Sequence, residues 1–410
     1  MELKTKYQYT YFVHPFVVKE SKYQKYLLKL LKDKNCSLRV FKKERDYRLY
    51  KYFLPKVRDF LFSSFSFNSN KLKNFEELPL DTKVAILKKY PCNIFEYNLE
   101  KDIQGKTQEE SGIFFKIQKI EIICFSTGIC FLVVKTNVED AQNFGDILNF
   151  NYKFRDITGD GEHLNNYDNI RLQTDSFSDV ERFTDFVKRI TGSEIESMKL
   201  NIDTERFLTY SYTCVDQLAW NVDNGFDNIR EDFIKYAKVL PVDNHVNFEK
   251  DEVDSFSKWK YAKLGITKLA STLFTSSADM NNYTILPEEY ETQYFYTYIL
   301  ALYQKIYLKK IALEFKNSAD ISKTRKKFIQ FTKNLWIQEI TEDEIGTLFY
   351  HKLKEVFELD NLYYDIKNKY DVLYKEFNIE KNAKYNIIIA VILIASLVFN
   401  ILNFWALTKK

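Results

Sequence analysis

Residues Tyr385–Leu407, "YNIIIAVILIASLVFNILNFWAL", set the terms for the rest of the chain. No other stretch is long and apolar enough to cross a bilayer. Its 23 residues give about 35 Å of helix against a hydrocarbon core of about 30 Å. Lys381 and Lys384 flank its start and Lys409 and Lys410 its end, with Tyr385 and Trp405 where interfacial aromatics belong. Everything before it must then lie on one side of the membrane. "MELKTKYQYTYF" is not a secretory leader, so that side is expected to be the cytosol. The expectation is a tail anchor in the cell membrane, with a short tail at 408–410. Lysines on both flanks make the positive-inside rule indecisive here.

The anchor carries four polar residues: Asn386, Ser396, Asn400 and Asn403. At 100° per residue Ser396 lies about 40° to one side of Asn400, Asn386 about 40° to the other, and Asn403 about 60° away. They occupy one stripe and, with Ile389, Leu393 and Leu407, form a heptad series. Hydrocarbon gives such side chains no partner, so the stripe is expected to face sister helices or a water-filled lumen. Asn386 alone is also explained by a place among the headgroups.

Upstream, Leu359, Tyr363, Ile366, Tyr370, Leu373 and Phe377 alternate four and three apart. Ile345, Phe349 and Val356 extend the series, with Lys352 the interruption. A 3.5-residue repeat suits either a self-associating coiled-coil stalk or packing on earlier helices of the same chain. The anchor series is displaced from it by two residues, so "NIEKNAK" (Asn378–Lys384) is the expected place for a bend or overwinding.

The part before the stalk reads as a mixed α+β domain. "YQYTYFVHPFVV" predicts a strand and "KYQKYLLKLLK" an amphipathic helix. "GIFFKIQKIEIICF" and "ICFLVVKT", separated by "STG", predict a hairpin apolar on both faces, hence a covered central part of a sheet. Cys124 and Cys130 then face each other across the ladder as reduced core thiols. Helices at "VEDAQNFGDILNF" and "SDVERFTDFVKRITG" and a strand at "RFLTYSYTCV" complete a strand, helix, hairpin, helix, strand order, the pattern of a ferredoxin-like sandwich. After about Leu286 three helices are expected: "PEEYETQYFYTYILALYQKIYLKKIALEF", roughly Asp320–Ile340, and about Glu342–Phe377. The division is thus 1–280 for the α+β domain, 281–384 for the helical stalk and 385–407 for the membrane helix.

Catalytic signatures are absent. His14, His163, His245 and His351 make no metal spacing, and no phosphate loop, nucleophile elbow or dinucleotide fingerprint occurs. "DITGDG" (Asp156–Gly161) opens like a calcium loop but has Tyr167 where the closing glutamate belongs, and reads as a turn. No cofactor or metal is expected. From Lys22 to Arg58 thirteen Lys or Arg stand against three acids, interleaved with tyrosines. Lys42, Lys43, Arg45 and Arg48 form its densest part. Such a surface either binds an anionic partner, a nucleotide, a nucleic acid or an anionic membrane, or merely solvates its helix. "SKTRKKFIQFTK" (Ser322–Lys333) is a second basic helix whose cations suit anionic headgroups if it folds back toward the membrane.

The tract "ITEDEIGTLFYHKLKEVFELDNLYYDIKNKYDVLYKEFN" and the anchor after it, about a quarter of the chain, resemble the layout of the CorA-type magnesium channels. The resemblance implies a homo-oligomer with soluble domains outside a bundle of membrane helices. That family has two membrane helices joined by a Gly-Met-Asn signature. This chain has one helix and no such signature, so no site residue carries over. Three readings remain: a sensor that acts on the membrane through a channel- or pore-like bundle, as bacterial antiviral effectors do, a membrane-tethered scaffold, or an anchored enzyme, against which the absence of catalytic motifs counts.

Overall fold

The computed structural model describes residues 3–63, 75–99, 103–106, 113–139, 143–156, 171–172, 181–192, 197, 199–203, 205–245, 247–249, 252–317 and 321–408. It divides into two units, Met1–Tyr307 with Trp336–Leu359, and Leu308–Leu335 with Asp360–Lys410.

The first unit is built on a ten-stranded mixed sheet. Its strands are β1 (Thr5–Val17), β2 (Cys36–Leu38), β3 (Cys92–Tyr97), β4 (Ile103–Lys106), β5 (Phe114–Phe125) and β6 (Ile129–Val138), then, past a separate two-stranded sheet of β7 (Arg171–Leu172) and β8 (Glu181–Arg182), β9 (Leu208–Val215), β10 (Asp254–Phe256), β11 (Ala262–Ile266) and β12 (Ala270–Ser276). The order is β10-β11-β12-β9-β1-β6-β5-β3-β2, with β4 on β5. β12 and β9 are parallel and all other pairs antiparallel.

The β5–β6 hairpin turns where the sequence indicates, and Cys124 stands opposite Cys130. All five cysteines are buried and unbridged. Gly128 closes the turn at φ 84°, and a Cβ there would sit 2.1 Å from the Val18 carbonyl oxygen. The same corner is tied by the Val18 N–H, which donates to the Gly128 oxygen at 2.7 Å. Glycine is required both for the dihedral and for the close approach.

Both faces of the sheet are covered, which is why its strands read as continuous apolar runs. On one face Phe12, Phe16, Cys124, Cys130 and Leu132 share a core with Leu27 and Leu30 of α1 (Tyr23–Lys32). Short helices α2 (Tyr47–Tyr52), α3 (Pro55–Leu61) and α4 (Leu80–Leu87) follow in the chain. Phe150 and Phe154 of α5 (Phe144–Phe154) and Phe186 and Ile190 of α6 (Phe183–Thr191) join the same core, while α7 (Arg230–Lys238) packs with Phe274 of β12 in a neighbouring one. His14 is buried in β1, and burial pushes its imidazole down to about 4, so it is a neutral core side chain.

The opposite face is a tyrosine layer. Tyr9, Tyr11, Tyr210 and Tyr212 alternate with the residues of the first face. Their hydroxyls donate to the Pro287 carbonyl (2.7 Å), a Glu291 carboxylate oxygen (2.7 Å), the Tyr290 carbonyl (2.5 Å) and the Asn282 carbonyl (2.5 Å). Four side chains of two strands thereby fix residues 282–291 onto the sheet, and each buried hydroxyl is satisfied. A π-helical turn at Tyr290–Tyr294 leads into α8 (Phe295–Asn317), whose Phe295 stacks on Tyr11 at 4.7 Å and Tyr303 on Phe125 at 4.0 Å.

The later helices differ from expectation in their ends. The second is α-helical only over α9 (Ile321–Gln330), followed by a π turn at Phe331–Leu335. Its expected continuation to Ile340 is irregular because that backbone bonds elsewhere: the Ile337 carbonyl accepts from Tyr350 and the Ile340 carbonyl from the Leu54 N–H, both at 2.8 Å. The third is two helices, α10 (Glu344–Val356) and α11 (Leu359–Thr408). Glu358, at φ 56°, ends the first in the left-handed conformation typical of a helix terminus. The 50 residues of α11 then run unbroken through 378–384, with neither Gly nor Pro, over about 75 Å.

An ion-pair network sits under the sheet near β2. Glu121 of β5, 2% exposed, receives Arg39 and Lys119 at 2.9 Å each. Glu96 takes both as well, at 3.0 and 3.3 Å, and Asp46 approaches Arg39 at 3.8 Å. Burial pushes the Glu121 carboxyl up, but the two cations outweigh it and hold the group below its ordinary range.

Candidate functional site

Asn382–Leu402 is a helical stretch long and apolar enough to cross a membrane, with mean hydropathy 2.5 and none of it buried. The apolar flank is as open as the polar one: Ile394 is 64% and Leu397 63% exposed. Asn386, Ser396 and Asn400 lie exposed on one stripe of this stretch. The side chain of Asn403 lies outside the described residues.

The stalk residues are placed differently. Leu359 and Ile366 are buried. Tyr363 and Tyr370 clasp Phe328 of α9, each ring 5.6 Å from it, and the Tyr363 hydroxyl lies 3.4 Å from that of Thr332. Leu373 is half-buried, and the Phe377 side chain lies outside the described residues. Two residues of the 3.5-residue seam, Tyr363 and Tyr370, thus pack on α9 of the same chain.

The basic segment divides in two. Arg45 donates to Asp46 (3.2 Å) and to the Val40 carbonyl (2.6 Å), so its side chain serves the local loop, while the Lys42 backbone N–H donates to Asp46 (2.9 Å). Lys43 and Arg48 instead line a surface cleft of about 890 Å³ together with Tyr50, Arg58, Glu289 and Asp343. The Arg58 guanidinium lies 3.8 Å over the Tyr50 ring and Lys43 4.7 Å from it, while Arg48 pairs with Glu288 at 2.6 Å. Asp343 caps α10 through the Gly346 N–H at 2.6 Å. Gly346 is forced by its neighbour, since a Cβ there would come within 2.2 Å of the Tyr52 hydroxyl. Partial burial raises the Glu289 carboxyl, Arg48 opposes this, and Asp343 and Glu288 reinforce it.

The cleft is thus lined by both signs: cations and aromatic rings from residues 43–58, carboxylates from residues 289, 342 and 343. Only its cationic wall is visible as a local run. The acids come from more than 200 residues away, and nothing in their surroundings marks them.

Asp156 of the calcium-loop look-alike pairs with Arg206 at 3.1 Å, and the remainder of that motif lies outside the described residues. Among the described residues no cluster of His, Cys, Asp or Glu is arranged to hold a metal ion. No family model, no curated protein and no solved structure matches this chain.

Proposed function

We propose that this chain is a membrane-anchored protein whose copies associate through the Asn386–Ser396–Asn400–Asn403 stripe of α11, forming a bundle that acts on the bilayer when the cytosolic domain binds its ligand. The observation that carries this reading is the pairing of two facts about one helix. It is apolar over a bilayer's thickness, and a bilayer around it would hold Ser396 within the hydrocarbon, with Asn400 one turn nearer the end of the stretch. Polar side chains at that depth need partners, and sister helices supply them. The layout shared with CorA-type channels supports a homo-oligomer and carries no magnesium site. The mass of the full-length protein in lipid nanodiscs tests the reading. Multiples of the 49.0 kDa chain are expected, and a strict monomer defeats it.

The scaffold reading draws on a separate observation: α9 packs on Tyr363 and Tyr370, which occupies part of one surface on which copies could meet. In either case the cleft at Lys43 and Arg48 is the proposed site for an anionic ligand. Reversing both residues to Glu is expected to weaken binding of a nucleoside triphosphate or a short single-stranded oligonucleotide at least tenfold in titration calorimetry. Equal binding by the variant removes the cleft from consideration.

We also infer that β1, β5, β6 and β9 form a ferredoxin-like core to which the other strands are added. Their spatial order β9-β1-β6-β5, all antiparallel, and the burial of α1 and α6 in one core on one face support this.

A further inference from the structure

We propose that the first turn of α9, with the end of α8, docks on the anionic phospholipid headgroups of the membrane that α11 enters. This rests on reading α11 as a membrane span. Within the second unit α9 and α11 are antiparallel. Arg325 lies over the Tyr374 ring at 4.8 Å, Phe328 meets Tyr370 and Tyr363, and Thr332 meets Tyr363. The start of α9 therefore points along α11 toward Asn382, where the apolar stretch begins. Eight residues separate Tyr374 from Asn382, about 12 Å of helix, and Ile321 lies about 6 Å nearer than Arg325. The end of α8 reaches the same level, because Phe315 packs on Phe328 at 6.4 Å and Glu314 pairs with Lys327 at 2.9 Å.

This end of the unit is cationic. Between Glu314 and Lys327 the sequence has five basic and two acidic residues. Lys316, Lys323 and Lys326 are exposed, as are Lys375 and Lys384 on α11. Against them stand Glu314, which Lys327 engages, and the exposed Asp371. Asp320 and the side chains of Glu376 and Glu380 lie outside the described residues. The N-terminal end of a ten-residue helix adds the positive pole of its dipole. The headgroup layer is roughly 5–8 Å thick and the Debye length about 8 Å at physiological salt, so these cations lie within electrostatic reach of lipid phosphates. Lysine stems are long enough to close the remaining gap. The membrane is favoured over a soluble polyanion because α11 holds this surface beside it permanently.

Full-length protein reconstituted with mixed phosphatidylcholine and phosphatidylglycerol, then released for native mass spectrometry, is expected to retain phosphatidylglycerol preferentially. Lys323→Glu with Lys326→Glu is expected to lower that preference about 30-fold, the factor two juxtamembrane cations supply together. Lys323→Arg with Lys326→Arg should preserve it. Excess glycerol phosphate should not displace the lipid; displacement would make the site one for a free phosphate and overturn the docking claim. Equal phosphatidylglycerol retention by wild type and the Glu variant also overturns it while leaving the anchor intact. Loss of wild-type protein from the bilayer on alkaline extraction sinks the anchor and this proposal together.

Discussion

Replacing Ser396 and Asn400 together with leucine is expected to leave the protein in the bilayer and reduce it to monomers. Leucine is at least as welcome in hydrocarbon as the residues it replaces, so insertion is untouched. Each interhelical hydrogen bond contributes about 0.6–2 kcal/mol in a membrane, and the two substitutions would remove such bonds from every copy of the proposed bundle. Any toxicity of overexpression should vanish with the oligomer. Val398, about 160° around the helix from Asn400, supplies the control: Val398→Leu should leave the assembly as it is. Two outcomes defeat the reading, persistence of the oligomer in the double variant or equal sensitivity to Val398→Leu. Carbonate extraction reports insertion, and particle mass in nanodiscs reports assembly.

Glu121→Gln is expected to cost about 3 kcal/mol at pH 7, the low end for breaking a buried ion pair, because Glu96 and Asp46 remain beside Arg39. The pH dependence carries the sign. The folded carboxyl is held below its ordinary range, so its contribution is fully present above the ordinary carboxylate pKa of about 4.3 and is lost as the pH falls through the lower folded value. The gap between wild type and variant, read from denaturant midpoints, should stay constant from pH 7 to about 5 and then shrink. A gap that stays constant to the acid limit would show that shape, not charge, is what Glu121 supplies.

Legibility in the sequence follows the locality of the signal. The β5–β6 hairpin is written in consecutive residues, two apolar runs and a glycine, and its register follows to the residue. β2, β3, β4, β10, β11 and β12 are missing from the sequence-based expectation; in β12, "ASTLFTS" buries Ser271, Thr272, Thr275 and Ser276 and so lacks the apolar run that betrays a covered strand. The 3.5-residue series of the stalk is visible, but spacing alone does not say which helix fills a seam. Phe328 packs on two of its residues, Tyr363 and Tyr370, from some forty residues upstream. The break at Phe357–Glu358 has no glycine or proline to announce it and follows from the packing of Phe349, Tyr350 and Leu353 in the first unit. In the cleft, Lys43 and Arg48 stand out as part of a basic run. Glu289 and Asp343 reach them only through the fold.

One consequence follows from the unbroken course of α11. Between Leu359 and Asn400 the peptide hydrogen-bond ladder has no swivel, so the helix behaves as a torsion shaft of about 60 Å. Twisting its first turns by one residue's worth of angle would carry Ser396 and Asn400 from one azimuth to the next without any displacement along the helix axis.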